Sequence, residues 1–352
     1  MVKTVYVQDN KKHTFVDWTL IEPGYGLSWM TGMGGWEVPH GVRISAHRPR
    51  VDLQPMIVSE KPWEASLGNY TILFEDQGLY RFYYKCGARG AKADGPSASM
   101  LAYAESKDGV NWEKPNIGTV TFEGSTDNNL VFGLDASQGR AVMHPCVFID
   151  PSAPPDERYK LTYNDVVDGK DHIYGAVSPD GLHWKELLQP LLSGYHSDTQ
   201  NVIRFDPDRG RYVGYFRGWT LYERTASEDG KMFRDPETGR AESWPVLHGR
   251  RTIAYAETGR FDSWPVPRPI FATAPDDPPD LDIYTNAYSP WPNSGSHLMF
   301  PTFYRRNQDI TEVHMMTSRD GLHWSRHDRR PITPAGGPGG HWGASVYAGT
   351  GI

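Results

Sequence analysis

Three acidic residues that are far apart in the sequence each stand at, or just before, a segment predicted to be a buried strand. They are Glu64, Asp198 and Asp282. Carboxyl groups that share one cleft shift each other's pKa values apart, so that one is protonated while another is ionised. Such a pair can donate a proton to a leaving group and accept one from water. If the fold brings these residues together, we expect acid–base chemistry at that place.

Each of these acids also has a structural interpretation. Asp198 opens a polar run at the start of a strand and is our first choice as a functional residue; the alternative is that it caps the turn after Gly194. Asp282 is either a site residue or a strand-edge residue that faces solvent, and Asp280 shares its side of the strand. Glu64 is either functional or part of a salt bridge in a loop.

Further polar and aromatic residues stand at corresponding points of the other predicted strands. His144 precedes an apolar strand, where its ring could bind a ligand, act as a general acid or be satisfied by the protein itself. Arg217 is interpreted as a partner of a carboxylate or anionic ligand, or as a salt bridge between sheets. His341 and Trp342 follow a glycine-rich segment and form either a flexible rim or an ordinary loop. The remaining predicted ligand-binding residues are Trp63, Asn69, Gln200, Asp280, Tyr284 and Asn286.

A repeated hairpin motif identifies the elements that must position these side chains. The pattern Ser-x-Asp-Gly-x-x-Trp occurs at 106–112, 178–184 and 318–324, and a degenerate copy occupies 258–264. Asp-Gly between apolar strands is a hairpin signal, because Gly accepts a positive φ and Asp bonds to its own backbone. Three strand-like segments precede each copy, and we expect a fourth strand to begin at the Trp. Each copy therefore ends one four-stranded unit, which is typical of a propeller blade.

The number and length of these units predict the whole architecture. Four units fill residues 58–333 of the 352-residue chain, and segments 1–57 and 334–352 together have the length of one more. We therefore predict an all-β, five-bladed β-propeller of four-stranded antiparallel blades, forming a single domain. A blade shared between the two ends would close the ring and cover its sheet edges. An incomplete ring is the alternative. The content of 36 Gly, 28 Pro and many aromatic residues agrees with short strands and tight turns.

This five-unit pattern resembles the five-bladed β-propeller glycoside hydrolases, the superfamily of invertases, arabinofuranosidases, xylosidases and related mannoside phosphorylases. It is similar in particular to uncharacterised invertase-like proteins, in which phrases such as Glu60-Lys-Pro-Trp-Glu64 and Glu157-Arg-Tyr-Lys160 recur. The invertase hallmarks W-M-N-D-P-N-G and E-C-P are absent, and we interpret Phe233-Arg-Asp-Pro236 as a coincidence between strands. The resemblance therefore does not extend to fructoside specificity.

The resemblance implies a function as well as a fold. A terminal sugar, with a furanoside as the candidate, would be cleaved at the mouth of the central channel by Glu64, Asp198 and Asp282. Two of these residues would form the acid–base or nucleophile pair, and one would hold the sugar. Trp63 and Trp342 would stack on the sugar rings. The alternatives are a phosphorylase, in which Arg217, His144 and Arg48 would hold phosphate, and a carbohydrate-binding propeller without catalysis.

Composition excludes several other classes of protein. The formal net charge of −7 and the lack of a Lys/Arg cluster argue against a nucleic-acid partner. No run approaches 18 apolar residues, so we expect no membrane span, and no signal-peptide pattern is visible. The compartment and the oligomeric state stay open. We expect no required cofactor; a structural calcium ion is compatible with oxygen ligands such as Asn286 and Gln200.

Overall fold

The regular structure of the protein is almost entirely β-strand. The computed structural model describes residues 14, 16–17, 45–88, 99–134, 140–220, 225–226, 233–234, 241–242, 250–274, 277–278, 280–337 and 343–351. Two short 3-10 helices, Pro62–Glu64 and Pro155–Glu157, accompany the strands in these ranges. None of the helices in the described ranges is long and apolar enough to cross a membrane. The predicted all-β class is confirmed.

The first two sheets are built from consecutive antiparallel strands. Unit 1 comprises β1 (Ser66–Asp76), β2 (Leu79–Gly87), β3 (Met100–Ser106) and β4 (Leu130–Phe132), paired in that order. Unit 2 comprises β5 (Met143–Ile149), β6 (Tyr159–Val167), β7 (Lys170–Ser178), β8 (Lys185–Glu186) and β9 (Leu192–Ser193), the last two both paired with β7. Two-residue turns, Gln77-Gly78 and Asp168-Gly169, close the first hairpin of unit 1 and the second hairpin of unit 2 with positive φ at both positions.

The third sheet carries a small additional sheet between its middle strands. In chain order the strands are β10 (Val202–Asp206), β11 (Arg211–Thr220), β12 (Thr225–Ala226), β13 (Phe233–Arg234), β14 (Ala241–Glu242), β15 (Arg250–Thr258) and β16 (Arg268–Phe271). Unit 3 is the sheet β10-β11-β15-β16, whereas β12, β13 and β14 pair only with one another. The Phe-Arg-Asp-Pro sequence, predicted to lie between strands, therefore begins in the short strand β13.

The fourth sheet is broken into two halves. Its strands are β17 (Leu281–Ile283), β18 (Tyr288–Trp291), β19 (Ser296–Met299), β20 (Thr302–Arg305), β21 (Ile310–Val313) and β22 (Met316–Ser318). They pair as β17-β20-β21 and β18-β19-β22, and together form unit 4. Ala287 has a φ of 42°, and Pro301 between β19 and β20 has no N–H to donate, so regular pairing is interrupted there.

The predicted fourth strand of each unit is less regular than expected. Pairing does begin beside the Trp in three units, with the bridge Glu105–Glu113, strand β8 and the bridge Thr317–Ser325. It lasts only one or two residues there. Prolines at 115, 190 and 331 follow within a few residues of these pairs, and a residue without an N–H cannot continue a ladder.

Three of the hydrophobic clusters are each shared by two consecutive units. Ile72 and Tyr83 of unit 1 pack with Leu161 and Tyr163 of unit 2. Corresponding clusters join units 2 and 3 and units 3 and 4. Strand β5 contacts both β1 and β10, and β15 contacts β17. The sheets therefore pack face to face in chain order, and the first strands of units 1, 2 and 3 lie side by side.

The C-terminal segment, residues 343–351, connects unit 4 with unit 1. The backbone N–H of Thr311 in β21 donates to the carbonyl of Ala344 at 3.0 Å. Further along, Thr350 forms a parallel bridge with Ile72 of β1, with N–H···O distances of 2.9 Å in both directions between Thr350 and the backbone of residues 71 and 73. This segment thus lies between the last unit and the first.

Candidate functional site

Five chain segments that are distant in sequence each contribute one side chain to a central cluster. These residues are Tyr70, His144, Thr199, Tyr284 and Tyr347. The Thr199 hydroxyl donates to the Tyr70 hydroxyl at 3.2 Å, and the Tyr70 ring lies 5.2 Å from that of His144. The Tyr347 ring lies 6.2 Å from Tyr70 and 6.0 Å from Tyr284. The first strands of the four units and the C-terminal segment therefore meet at one place.

A bulge and a buried asparagine set the geometry on the unit 2 side of this cluster. The register of β5 against β6 shifts between Met143 and Cys146, and His144 has a φ of 52°. A positive φ in a non-glycine residue is strained and is concentrated at functional positions. Asn164 donates to the carbonyl of Ser197 and accepts from the Asn201 amide at 2.8 Å. This pairing holds the loop that carries Asp198 against unit 2.

Asp198 is an ionised carboxylate paired with a buried arginine. The Arg217 Nη1 atom lies 2.6 Å from Asp198 Oδ1; the arginine side chain is fully buried, whereas that of Asp198 is 32% exposed. Arg217 also donates to the carbonyl of Tyr284 at 2.9 Å, and its guanidinium lies 4.6 Å from the centre of that ring. Burial raises the pKa of Asp198, but Arg217, Arg251 and His196 outweigh it and hold the pKa below its ordinary value. One edge of this carboxylate is open to a ligand.

Asp282 is buried between two other arginines. Its side chain is fully buried, and it accepts from Arg251 Nη1 at 2.9 Å and from Arg306 Nη2 at 2.7 Å. A second bond, from Arg306 Nε at 3.0 Å, makes that pair bidentate. Asp282 therefore does not face solvent at a strand edge. It holds Arg251, which is part of the charged surroundings of Asp198.

Glu64 lies apart from this group, with four donors around its carboxylate. The backbone N–H groups of Glu60 and Lys61 donate to Oε2 at 2.9 and 3.1 Å, Lys114 Nζ lies 2.8 Å from the same oxygen, and the Tyr84 hydroxyl donates to Oε1 at 2.5 Å. Burial raises the pKa of Glu64, but these donors outweigh it and hold the pKa below its ordinary value. The loop salt bridge, our alternative for Glu64, is the arrangement found.

The hydrogen bonds and ion pairs of the structure connect two of the three predicted carboxylates. Asp198 and Asp282 belong to one charged group through Arg251. Within the described ranges, Glu64 shares no hydrogen-bond or ion-pair partner with either of them. Glu64 lies where unit 1 packs Tyr84 and Trp63 into a separate hydrophobic cluster, on the face away from unit 2.

His144 is neutral at physiological pH. Burial, assisted by the nearby charges of Lys85 and Arg217, lowers the pKa of its imidazole to about 3, against the opposing effect of the Asp198 carboxylate. Its Nδ1 lies 3.5 Å from the Asn164 amide nitrogen. A neutral ring with such a low pKa cannot supply a proton as an imidazolium acid. This argues against the general-acid role for His144 and leaves it as a hydrogen-bonding or positioning residue.

His196 is a second histidine near Asp198. Its Nδ1 lies 2.6 Å from Asp171 Oδ2, and its ring stacks on Trp219 at 5.8 Å with an interplanar angle of 22°. The hydrogen bond to Asp171 raises the pKa of His196, against a smaller opposing effect of burial. The His196 side chain is 37% exposed.

The other predicted ligand-binding residues differ in their surroundings. Trp63 is buried and donates from Nε1 to Asn129 at 2.8 Å, so its ring is not available to a sugar. Asn69 is exposed on β1. Asp280, which shares the strand side of Asp282, is buried with Arg305 at 4.0 Å. His341 and Trp342 lie outside the described residues.

The two amides proposed as calcium ligands contact the backbone. Gln200 Nε2 donates to the carbonyl of Pro145 at 2.6 Å, and Asn286 Nδ2 donates to the carbonyl of Tyr215 at 3.2 Å. The Asn286 amide oxygen accepts from the N–H of Tyr288. Across the described part of the chain, no group of three or more His, Cys, Asp or Glu residues is placed to hold a metal ion. The calcium site stays a prediction.

Sequence reasoning did not identify four residues of this site: Tyr70, Arg251, His196 and Tyr347. The tyrosines look like ordinary core residues of strand segments, and nothing in a 19-tyrosine sequence separates them. Arg251 stands just before a predicted strand, as do several of the predicted ligand-binding residues. Its position is therefore a signal by which the sequence could identify it as a candidate site residue. His196 lies two residues before Asp198 and could have been found in the same way.

Comparisons with known proteins give likenesses in sequence and in structure. No protein-family model matches the chain. Two uncharacterised proteins of Mycobacterium tuberculosis, MT1551 (strain CDC 1551 / Oshkosh) and Rv1502 (strain ATCC 25618 / H37Rv), are 29% and 28% identical over 155 residues, or 43% of this chain. The match spans less than half of these relatives, 46% of each.

Two solved structures superpose on most of the chain. A β-fructofuranosidase from Schwanniomyces occidentalis, complexed with fructosyl-erythritol, has a TM-score of 0.50 at 13% identity, over 80% of this chain and 50% of its own. A BT0996 RGII complex has a TM-score of 0.50 at 13% identity, over 78% of this chain and 78% of its own. Sequence identities this low are evidence for a similar fold alone. The resemblance predicted from the hairpin repeat is confirmed at that level: the chain has an all-β fold similar to that of the propeller glycoside hydrolases.

Proposed function

We propose that the protein is a glycoside hydrolase that cleaves a terminal sugar at the central cluster, with Asp198 as its catalytic carboxylate. The observation that carries this proposal is the placement of Asp198. It is an ionised, 32% exposed carboxylate, held by the fully buried Arg217 where five chain segments meet. A buried cation that fixes a partly exposed anion is an arrangement typical of a functional site.

The proposal includes a ring of five blades in one domain. Units 1 to 4 would be four blades, and the C-terminal segment 343–351 would be the innermost strand of the fifth. Its bonds to β21 on one side and β1 on the other support that assignment. A ring of this kind has a central channel, and the central cluster would lie at its mouth.

The chemistry of glycoside cleavage fits the surroundings of Asp198. The transition state carries positive charge on the sugar ring, and an adjacent ionised carboxylate stabilises it. Sugar rings pack their C–H faces on aromatic side chains, and the half-buried rings of Tyr284, Tyr347 and Trp219 border the same group. The fold shared with a β-fructofuranosidase supports a carbohydrate substrate, and a furanoside is our first expectation.

A screen of 4-nitrophenyl glycosides tests this function. The panel contains furanosides and pyranosides of the common sugars, each incubated with and without inorganic phosphate, and nitrophenol release is measured. We expect at least one furanoside to be hydrolysed without phosphate. Failure to turn over any member, in a preparation that binds one of the free sugars, would identify a carbohydrate-binding protein instead.

A phosphorylase is the second candidate, because the buried Arg217 beside Asp198 has a donor left over. Its Nε atom is buried and has no hydrogen-bond partner among the described residues. A guanidinium in this position would favour an inorganic phosphate as the attacking group in place of water. In the same screen, turnover that requires phosphate and yields a sugar phosphate would establish this alternative.

A further inference from the structure

A histidine–aspartate pair lies beside the catalytic carboxylate proposed above. His196 Nδ1 lies 2.6 Å from Asp171 Oδ2, on strand β7. The imidazole stacks at 5.8 Å on Trp219 of β11, and the Arg217 guanidinium lies 5.7 Å from the same indole ring. His196 and Arg217 are thus connected through one aromatic side chain, and Arg217 holds Asp198. The pair is part of the same group of side chains as the carboxylate.

The charges that face His196 favour its protonated form. The hydrogen bond to Asp171 is the largest influence and raises the pKa of the imidazole; Asp198, from its own loop, raises it as well. Burial and the Arg217 cation from β11 act in the opposite direction. Arg251 of β15 lies on Trp219, 5.4 Å from its ring centre, and adds a positive charge across that indole. Together these groups raise the pKa of His196 above its ordinary value, which favours the protonated form.

The proposed reaction needs a proton donor, and none of the other predicted acids is suited to that role. Hydrolysis by paired groups requires one that is protonated and one that is ionised. Asp282 is bonded to two arginines, Glu64 is bonded to Tyr84 and Lys114, and His144 is neutral. His196 has a raised pKa, is 37% exposed and is oriented through Nδ1 by Asp171, which leaves Nε2–H as its second donor.

We propose that His196, oriented by Asp171, is the general acid of this site. The inference rests on the proposed glycoside hydrolase function. As the bond between the anomeric carbon and the leaving oxygen breaks, its electron pair stays on that oxygen, which takes the Nε2 proton of the imidazolium. Water adds to the anomeric carbon and gives a proton to the Asp198 carboxylate. Exchange of protons with solvent then restores His196 as the acid and Asp198 as the base. Asp171 acts through His196 and is a positioning residue.

Leaving-group dependence separates a proton donor from a structural histidine. The substrates are the phenyl and the 2,4-dinitrophenyl glycoside of the sugar that the screen identifies, because phenol needs protonation to leave and dinitrophenol does not. We expect His196→Gln to lose roughly 10²- to 10⁴-fold in kcat/KM on the phenyl glycoside. On the dinitrophenyl glycoside the loss should be less than about tenfold. Equal losses on both substrates, or no loss on either, would overturn the proposal.

Three further variants complete the experiment. His183→Gln is the matched control, because His183 Nδ1 pairs with Asp180 Oδ2 at 2.7 Å in the hairpin of unit 2; it should leave both rates unchanged. Asp171→Asn should move the basic limb of the pH profile to lower pH, since the carboxylate no longer stabilises the imidazolium. A basic limb at the same pH as in the wild type would contradict the role of Asp171 as a positioning residue for His196. Asp198→Asn should lose activity on both glycosides; if it does and His196→Gln does not, the function stands and the acid assignment fails.

Discussion

At the scale of single residues, the two buried arginine–carboxylate groups differ in what their carboxylates can do. Asp198 keeps one edge in solvent, whereas Asp282 is fully buried with every bond directed to Arg251 or Arg306. A carboxylate that is completely surrounded by its partners is a structural anchor. One that is held on one side is available for chemistry.

This difference predicts that the same substitution destabilises the protein to different extents at the two positions. Asp282→Asn leaves two arginines facing a neutral side chain, and we expect a loss of about 3–5 kcal/mol in the free energy of unfolding. Asp198→Asn should cost less, since water can reach the arginine through the partly exposed side. Urea unfolding of both variants measures the contrast. An Asp282→Asn variant as stable as the wild type would show that this carboxylate does not anchor the two arginines.

A second residue-scale prediction concerns acid stability. Asp76 pairs with Arg158 Nη2 at 2.5 Å and accepts from the Tyr159 hydroxyl, and the hydrogen bond from Arg158 holds the pKa of Asp76 below its ordinary value. A carboxyl with a lowered pKa in the folded state stabilises the protein above its unfolded pKa of about 3.9 and loses that contribution as the pH falls. We expect the unfolding free energy to decrease between pH 5 and pH 3.

The variant Asp76→Asn isolates this contribution. It should be less stable than the wild type at pH 7 and should lose less of its stability on going to pH 3, because the titrating group is gone. Unfolding by urea at the two pH values gives both differences. Parallel losses in wild type and variant would assign the acid sensitivity to other carboxylates.

At the scale of elements, the repeated hairpins of units 2 and 4 each contact the unit that precedes them in the chain. Arg81 of unit 1 donates to the carbonyl of Asp180 in the hairpin of unit 2 at 2.8 Å. The Tyr215 hydroxyl of unit 3 donates to the carbonyl of Gly321 in the hairpin of unit 4 at 2.7 Å. In each hairpin the Asp carboxylate accepts backbone N–H groups of its own turn, which fixes the shape that the neighbour contacts. The motif therefore recurs because it serves an interface as well as a turn.

Glycine substitutions test this interface role. Gly109 and Gly181 occupy the same hairpin position with φ of 74° and 78°, so Ala costs about 1–2 kcal/mol at either for backbone strain. At Gly181 a Cβ would also meet the Tyr83 hydroxyl and lie 2.9 Å from the Tyr159 ring, whereas at Gly109 the closest atom is 3.6 Å away. We expect Gly181→Ala to lower the unfolding free energy by roughly 1–3 kcal/mol more than Gly109→Ala. Equal effects would mean that the hairpin does not pack tightly on its neighbour.

Local signals explain which elements the sequence predicts. The Asp-Gly hairpins and the strands before them follow from turn chemistry and apolar pattern, and most predicted strands are found within a few residues of their positions. The predicted fourth strands are shorter than expected because prolines follow within a few residues of where they begin. Partners at long range are harder to predict: Lys114 pairs with Glu64 and Arg306 with Asp282, and no local pattern specifies either pair. The sequence therefore identifies the three carboxylates one by one, but it does not predict which partners each of them binds.

At the scale of the whole molecule, the C-terminal segment completes the contacts between the last unit and the first. Thr350 exchanges hydrogen bonds with the backbone of β1, and Thr311 of β21 contacts the same segment through Val346 and Ala344. Tyr347 of this segment contributes to the central cluster. The segment thus contacts unit 4, unit 1 and the central cluster.

Removing one backbone donor tests this link. Thr350→Pro deletes the N–H that donates to Thr71 at 2.9 Å, while Thr350→Ala keeps it. We expect the proline variant to unfold at a lower temperature than the alanine variant, with weaker turnover because Tyr347 is displaced. Identical melting temperatures would show that this strand pairing does not close the structure.

The central claim is that Asp198 is the catalytic carboxylate. It is tested most directly by measuring kcat of the Asp198→Asn variant on the glycoside that the screen identifies. We expect a loss of at least about 10³-fold in kcat, with the urea unfolding midpoint close to that of the wild type. The exposed Asp262, paired with Arg260 at 2.8 Å, gives the control Asp262→Asn, which should keep full activity. An Asp198→Asn variant that retains kcat within about tenfold of the wild type would contradict the assignment of this carboxylate to catalysis.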